Sequence, residues 1–383
     1  MTSRFLTGTS FVIDYIYILM IYILTLVAHE LGHAAMGKTL GFKIYGITIG
    51  SGPALLKSNA LGFPFTVHLR PFSAKTYLAS PSDHHLRLRR WLTTLAGPAT
   101  HALVLGAVCG LFGWSYMLQS LRQFSISRPG IPGWLIMLNG ALLIGSLLPF
   151  QLSGSTGVRS DGYRLITIPF LTEAKFAAYR AGYLEMEARE LLFSKRYAEA
   201  IELYDRALKI NTKSTMSVEG LHSAYLLLGN YARARELIVS LVAKGDIAKG
   251  PLRNTVLNNI AWADIMLDDP ALLDEADRYS AETITKNRRY PYYKGTRGAV
   301  LVSMGKYEDG IRLLSEAYRR HTAKAARGSV AYFAAIGEAR RGNRNEAENW
   351  LKTAVQNSPD DCLRQRVEAE IGSLEHGSRG RID

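Results

Sequence analysis

The sequence predicts an α-helical membrane domain followed by an all-α solenoid of repeated helix pairs. Three observations support this fold class. The first 150 residues contain eleven Lys/Arg and three Asp/Glu, whereas the remainder contains 35 and 30. The first part also holds three long apolar segments, and a short motif recurs through the second part. We therefore predict a membrane domain over residues 1–170, a repeat domain over 171–375 and a disordered tail over 376–383.

The apolar segments are each long enough to cross a bilayer as a helix, because a span needs about 20 apolar residues. Aromatic residues lie near their ends, as is typical of membrane interfaces. The three segments predicted as core transmembrane helices are residues 11–36, 91–118 and 130–152.

The chain between the first two spans has a different pattern. Residues 42–50 and 63–69 are rich in β-branched and aromatic residues and predict two short strands. Residues 50–53 and 58–62 are rich in Gly, Pro, Ser and Asn and predict turns between them. Together these segments predict a small β-sheet at the membrane surface.

The loop charges predict the orientation in the membrane. Eight basic residues lie between the first two spans, and only Arg122 and Arg128 lie between the second and third. Basic loops stay in the cytoplasm, so the first loop and everything after the third span are predicted to be cytoplasmic. The net charge of +13 arises mainly in these loops. It therefore indicates contact with the lipid bilayer and no nucleic-acid partner.

The first apolar segment contains the pattern H-E-x-x-H, formed by His29, Glu30 and His33. Ionisable side chains are costly in hydrocarbon, so a cluster of them indicates a functional site. On a helix the two imidazoles lie on one face and can bind one zinc ion, with Glu30 as the general base. The alternative, two core histidines of a soluble helix, does not suit the apolar surroundings.

A zinc ion held by two histidines needs a third protein ligand and an open position for water. Asp161 is the candidate, because it follows the third span and is predicted to lie at the same cytoplasmic end as His29 and His33. Taken alone, Asp161-Gly162 is more typical of an Asx turn.

His101 is a second candidate catalytic residue. It lies about 15 Å along its helix from the start at Trp91, a depth similar to that of the H-E-x-x-H pair. It could donate a hydrogen bond to a substrate carbonyl or its oxyanion. Alternatively, a neighbouring helix satisfies the imidazole. The sequence leaves both interpretations open.

Three motifs within residues 11–170 resemble the site-2 proteases, a family of intramembrane zinc metalloproteases. The resemblance implies one zinc ion per chain, with His29, His33 and Asp161 as its ligands and Glu30 as the catalytic base. It also implies regulated cleavage of a membrane-anchored substrate in or near the bilayer, in a bacterial cell membrane. The motifs are His29-Glu30-Leu31-Gly32-His33, then Leu95-Ala96-Gly97-Pro98-Ala99, then Ser146-Leu147-Leu148-Pro149 followed by Asp161-Gly162.

The chain departs from the pattern of that family in three places. The family usually has asparagine at the positions of His101 and Ser146. It also places Asp-Gly only a few residues beyond the proline, whereas here residues 150–160 intervene. The first two departures affect substrate handling, and the third affects the alignment of Asp161.

The second part of the chain repeats a helical motif, visible in Arg196-Tyr197-Ala198-Glu199-Ala200-Ile201 and Asn230-Tyr231-Ala232-Arg233-Ala234-Arg235. A spacing of about 34 residues resembles the tetratricopeptide repeat. We predict about five helix pairs that bind a cytoplasmic protein or peptide partner. The alternative is an unrelated helical bundle. The small residues that mark the register are Ala200, Ala234, Ala276, Gly310 and Ala347.

These patterns predict an intramembrane zinc metalloendopeptidase whose repeat domain recruits or gates membrane-protein substrates. The competing prediction is a non-catalytic membrane scaffold with a structural metal site. Glu30 argues against the scaffold, because a structural site does not require a base.

Overall fold

The computed structural model describes residues 3–122, 131–151, 159–243 and 251–379. Their contacts divide the chain into two compact units, Met1–Ser217 and Val218–Asp383. This division, at residue 217, lies inside the predicted repeat domain over 171–375. The domain boundary at residue 170 therefore stays a prediction from the sequence pattern.

Two of the described helices are long and apolar enough to cross a membrane. They are α1, Ser3–Thr39, with its apolar part at Ile16–Thr39, and α2, Leu86–Phe112. The third predicted span corresponds to α4, Ile131–Leu147, which is apolar but shorter. The presence of three membrane-spanning helices therefore stays a prediction. Residue 130, the predicted start of the third span, lies outside the described residues.

Helix α2 ends earlier than the sequence indicated. Gly113 adopts a φ of 83°, a left-handed conformation that favours glycine, and its N–H caps the carbonyl of Cys109. The predicted continuation of this helix to residue 118 is therefore wrong. A separate helix, α3, follows at Trp114–Arg122.

The segment between α1 and α2 forms two antiparallel strands, β1 at Lys43–Ser58 and β2 at Phe65–Ala79. The strands are confirmed but are longer than predicted. The turn predicted at residues 50–53 is wrong, because Gly50 and Gly52 lie inside β1 with φ values of 83° and 90°. They coincide with shifts in the pairing register, which is where a bulge needs glycine.

The sheet is anchored on α1 by its central residues. Ile47, Thr48 and Ile49 pair with both ends of β2, at residues 65–67 and 74–76. The side chains of Ile47 and Ile49 are buried in a cluster with Ala34 of α1. This places the β2 residues near 76 beside the helix that carries the H-E-x-x-H motif.

A short helix, α5 at Asp161–Thr167, leads into the repeat series. Ile168 follows it and is fully buried with Phe42, Leu86 and Phe176. The base of the sheet, the start of α2 and the first repeat helix therefore share one apolar cluster.

The five predicted helix pairs are confirmed. In every pair the small register residue occupies the fourth position of the second helix and is buried. Because such positions are crowded, a Cβ on Gly310 would lie 2.8 Å from Val302 Cγ2. The pairs are α6 Glu173–Phe193 and α7 Tyr197–Ile210; α8 Thr215–Leu227 and α9 Tyr231–Ala243; α10 Pro251–Leu267 and α11 Leu273–Lys286; α12 Pro291–Ser303 and α13 Tyr307–Arg320; α14 Lys324–Arg340 and α15 Arg344–Asn357.

A last helix, α16 at Asp361–Arg379, follows the pairs. It extends into the segment predicted as a disordered tail, 376–383, of which residues 380–383 lie outside the described residues.

Candidate metal centre

Helix α1 presents His29, Glu30 and His33 to the interior. Their residues are 8%, 5% and 9% exposed. The two Nε2 atoms of the histidines lie 3.2 Å apart, as expected for positions i and i+4 on one helix face. The spacing read from the sequence therefore produces two convergent nitrogen atoms.

Asp161 reaches the same point from the start of α5. Its Oδ2 lies 3.1 Å from His29 Nε2 and 3.3 Å from His33 Nε2. Because it is the first residue of α5, the helix end also favours its negative charge. The structure thus brings together the three side chains predicted as metal ligands.

The long connection before Asp161 does not displace it, because the residues at the two ends of the connection contact each other. Gln151 pairs with Arg159, and Ser160 N–H donates to the carbonyl of Phe150. The Ser160 hydroxyl donates to the carbonyl of Leu148 and caps α5 by accepting from Tyr163 N–H. Within the unusual spacer, residues 152–158 lie outside the described residues.

The three ligand atoms fit a zinc ion. Atoms bound to tetrahedral zinc at about 2.0–2.1 Å lie about 3.3 Å from one another. The observed separations are 3.1, 3.2 and 3.3 Å. In addition, a Cβ on Gly97 would lie 2.4 Å from His33 Nε2 and 2.6 Å from His29 Nε2. Glycine at this position leaves the space that the ligands enclose.

The hydrogen bond of His33 also suits a role as a metal ligand. His33 Nδ1 lies 2.7 Å from the carbonyl oxygen of Thr93 and therefore carries a hydrogen. In the neutral ring its Nε2 is then an acceptor that faces the carboxylate of Asp161. Two acceptors at this distance repel unless a proton or a metal cation lies between them, and a metal ligand set places the metal there.

The carboxylate of Glu30 is held by the sheet. Thr76 Oγ1 of β2 donates to Glu30 Oε2 at 2.6 Å. Threonine in a strand carries no signal of such a role, and the contact depends on the register that places β2 beside α1. Sequence reasoning therefore missed Thr76.

His101 lies behind His29. Its Nε2 is 2.9 Å from His29 Nδ1, and its Nδ1 is 3.0 Å from Asn139 Oδ1. Asn139 was also missed, although a lone amide inside an apolar helix is a usable signal. Ser146, at the other position where the family usually has asparagine, donates to the carbonyl of Leu143 in its own helix. The catalytic role of His101 stays a prediction.

The electrostatics favour an ionised Asp161. A positive charge within about 4–6 Å of a carboxyl group stabilises its ionised form. Arg164 contributes a positive charge 3.8 Å from Oδ1. The candidate ligand is therefore an anion, as metal binding requires.

Comparison with known proteins gives one family. A model of peptidase family M50 matches residues 16–345. A comparison with curated proteins finds no match. Among solved structures, the chain is similar to YrrB, a TPR protein with an unusual peptide-binding site, at 17% identity and a TM-score of 0.33 over 51% of this chain and 95% of that one. It is also similar to a thermophilic TPR protein of Thermus thermophilus, at 22% identity and a TM-score of 0.39 over 50% and 98%.

Proposed function

The chain belongs to peptidase family M50, and we propose that it is a zinc metalloprotease that hydrolyses membrane-anchored substrates in or near the bilayer. The observation that carries the proposal is a triangle of three side-chain atoms: two imidazole nitrogens from an apolar helix, where they lie next to Glu30, and one carboxylate oxygen from α5. Three protein ligands of this kind leave the fourth position of tetrahedral zinc for water, as catalytic sites do.

The roles of the side chains follow from their positions. His29, His33 and Asp161 would hold the metal. When bound, zinc lowers the pKa of a water molecule and polarises the scissile carbonyl. Glu30 takes the proton of the attacking water and returns it to the leaving amine. Thr76 orients the carboxylate of Glu30 for this transfer.

The membrane setting is supported by the surfaces of the apolar helices. Leu103 and Leu111 of α2 are 72% and 79% exposed, and Ile144 of α4 is 63% exposed. Apolar side chains exposed along apolar helices suit contact with lipid. With the basic first loop, this supports an integral protein of a bacterial cell membrane with its active site and repeats on the cytoplasmic side.

The repeat helices supply the partner site of the proposal. Stacked helix pairs of this type expose a face suited to protein or peptide partners. We assign them the recruitment or gating of substrates, in a setting of regulated intramembrane proteolysis.

The test compares the membrane proteome of cells that carry wild-type protein or the Glu30→Gln variant. Substrates are expected to accumulate uncut in the variant, because the amide cannot accept the proton. Asp83→Asn, an isosteric change at an exposed residue before α2, is the matched control and should behave as wild type.

A parallel measurement of metal content separates the proposal from the competing scaffold function. The protease is expected to bind one zinc ion per chain, and binding should be lost in His29→Ala. If zinc is stoichiometric but Glu30→Gln leaves every membrane protein at its wild-type level, the site is structural and the proposal fails.

A further inference from the structure

Three hydrogen bonds connect the candidate metal centre to the interior of the membrane unit. His29 Nδ1 and His101 Nε2 are 2.9 Å apart, His101 Nδ1 and Asn139 Oδ1 are 3.0 Å apart, and Asn139 Nδ2 is 2.9 Å from the carbonyl oxygen of Leu135. His101 and Asn139 are 1% and 2% exposed. The chain of bonds thus joins α1, α2 and α4 out of reach of water.

The donor and acceptor of each hydrogen bond follow from the last group of the series, the carbonyl of Leu135. Leu135 offers a carbonyl oxygen, so the Asn139 amide donates its N–H there and presents its oxygen to His101. His101 Nδ1 must then carry the hydrogen. A neutral imidazole has one N–H, so His101 Nε2 is an acceptor and receives the Nδ1–H of His29.

One tautomer of His29 results. With its hydrogen on Nδ1, the lone pair of His29 lies on Nε2, the atom that faces Asp161 Oδ2 at 3.1 Å. The assignment starts from a backbone carbonyl and uses no assumption about a metal. It nevertheless yields the tautomer that a metal ligand needs, and His33 reaches the same tautomer through Thr93.

We propose that His101, together with Asn139, is a positioning residue that fixes the tautomer and ring orientation of His29 for metal binding. The proposal rests on the zinc site of the proposed function. Partners of this kind orient the ring and raise the basicity of the ligand nitrogen. Histidine suits the position because one ring accepts from α1 and donates to α4.

This role differs from hydrogen bonding to the substrate. The single N–H of His101 is engaged by Asn139, and its Nε2 accepts from His29. His101 therefore has no hydrogen available for a substrate oxygen or its oxyanion. The two roles make opposite predictions for metal affinity, because a donor to the substrate leaves zinc binding unchanged.

The experiment measures the zinc dissociation constant of the purified full chain in detergent by competition with a chromophoric chelator. His101→Leu should raise the constant about 10- to 100-fold, the range found when the partner of a ligand is removed. His101→Gln, whose amide can accept from His29 and donate to Asn139, should lie closer to wild type. Asn139→Leu should also weaken binding. Leu103→Val, at an exposed residue of the same helix, is the control and should match wild type.

The cobalt-substituted protein gives a second readout, because the absorption of bound Co²⁺ reports ligand geometry. We expect an altered spectrum in His101→Leu and recovery in His101→Gln. An unchanged zinc constant in His101→Leu, with a lower kcat, would overturn the proposal in favour of a donor to the substrate. Equal losses in the Leu and Gln variants, with Asn139→Leu unaffected, would also overturn it. If wild-type protein binds no zinc, the proposed metal site itself fails.

Discussion

Gly97 offers the sharpest test of the proposed position of the metal. In Gly97→Ala the new Cβ would lie 2.4 Å from His33 Nε2 and 2.6 Å from His29 Nε2. Ordinary contact begins at 3.4 Å, so these distances fall short by 1.0 and 0.8 Å. The imidazoles must withdraw by about that amount, whereas a metal site tolerates about 0.2 Å in its bond lengths. We therefore expect zinc binding to be lost.

The assay is zinc content and zinc affinity of the purified full chain, with circular dichroism as a check of folding. Gly106→Ala is the matched control, because it lies in the same helix and its Cβ meets no heavy atom within 4 Å. A glycine-to-alanine change in a helix favours folding by about 1 kcal/mol, so this control should keep one zinc ion and be at least as stable as wild type. A folded Gly97→Ala protein that binds zinc with wild-type affinity would refute the assignment of this space to the metal.

Three further predictions concern the surroundings of the site and the repeats. Thr76→Val removes the hydrogen bond to the Glu30 carboxylate, and a hydrogen bond to a charged group contributes about 1.5–3 kcal/mol. We therefore expect kcat to fall about tenfold to a hundredfold with zinc content unchanged; an unchanged kcat would contradict this role of Thr76. Glu187→Leu removes the acceptor of the Tyr45 hydroxyl, and the unfolding free energy from chemical denaturation should fall by about 1–3 kcal/mol; equal values for variant and wild type would exclude this contact as a stabilising one. Burial lowers the pKa of His222 below its usual value, so its neutral ring stabilises the fold above pH 6.5 and this contribution is lost as the pH falls through the lowered pKa. The protection factors of the α8 amides in the full chain, which correct for the slower intrinsic exchange at lower pH, should therefore fall between pH 7 and pH 5, and less so in His222→Gln.

Much of the site could be predicted because its determinants are local. His29 and His33 need only helical periodicity to converge, and the apolar segment around them predicts the helix. The repeat register is local as well, because one small residue at a fixed position of each second helix identifies the crowded crossing. Asp161 required chain order and the family resemblance. The pairing of Gln151 with Arg159 gives the physical reason that an eleven-residue spacer leaves it in place.

The remaining features depend on contacts between segments far apart in sequence. Thr76 contacts Glu30 only because of the register in which β1 and β2 pair. Bulges at Gly50 and Gly52 shift that register. Glycine is typical of both turns and β-bulges, so the sequence does not distinguish them. At Gly50 and Gly52 the predicted turn is wrong, and the structure has bulges. Asn139 meets His101 through the packing of α2 on α4, which helical periodicity alone does not determine.

The first pair of repeat helices is connected to Glu30, the proposed catalytic base, within one compact unit. Glu187 of α6 accepts hydrogen bonds from Lys43 Nζ and the Tyr45 hydroxyl at the start of β1. Two residues further along β1, Ile47 pairs with Thr76, whose hydroxyl holds the carboxylate of Glu30. A shift of α6 would therefore act on the strand that orients the base. The Glu187→Leu variant therefore tests coupling between α6 and Glu30 as well as stability. If the repeats gate catalysis through this strand, the variant should lower kcat at saturating substrate while its zinc content stays at the wild-type level, and a kcat equal to that of wild type would exclude this route.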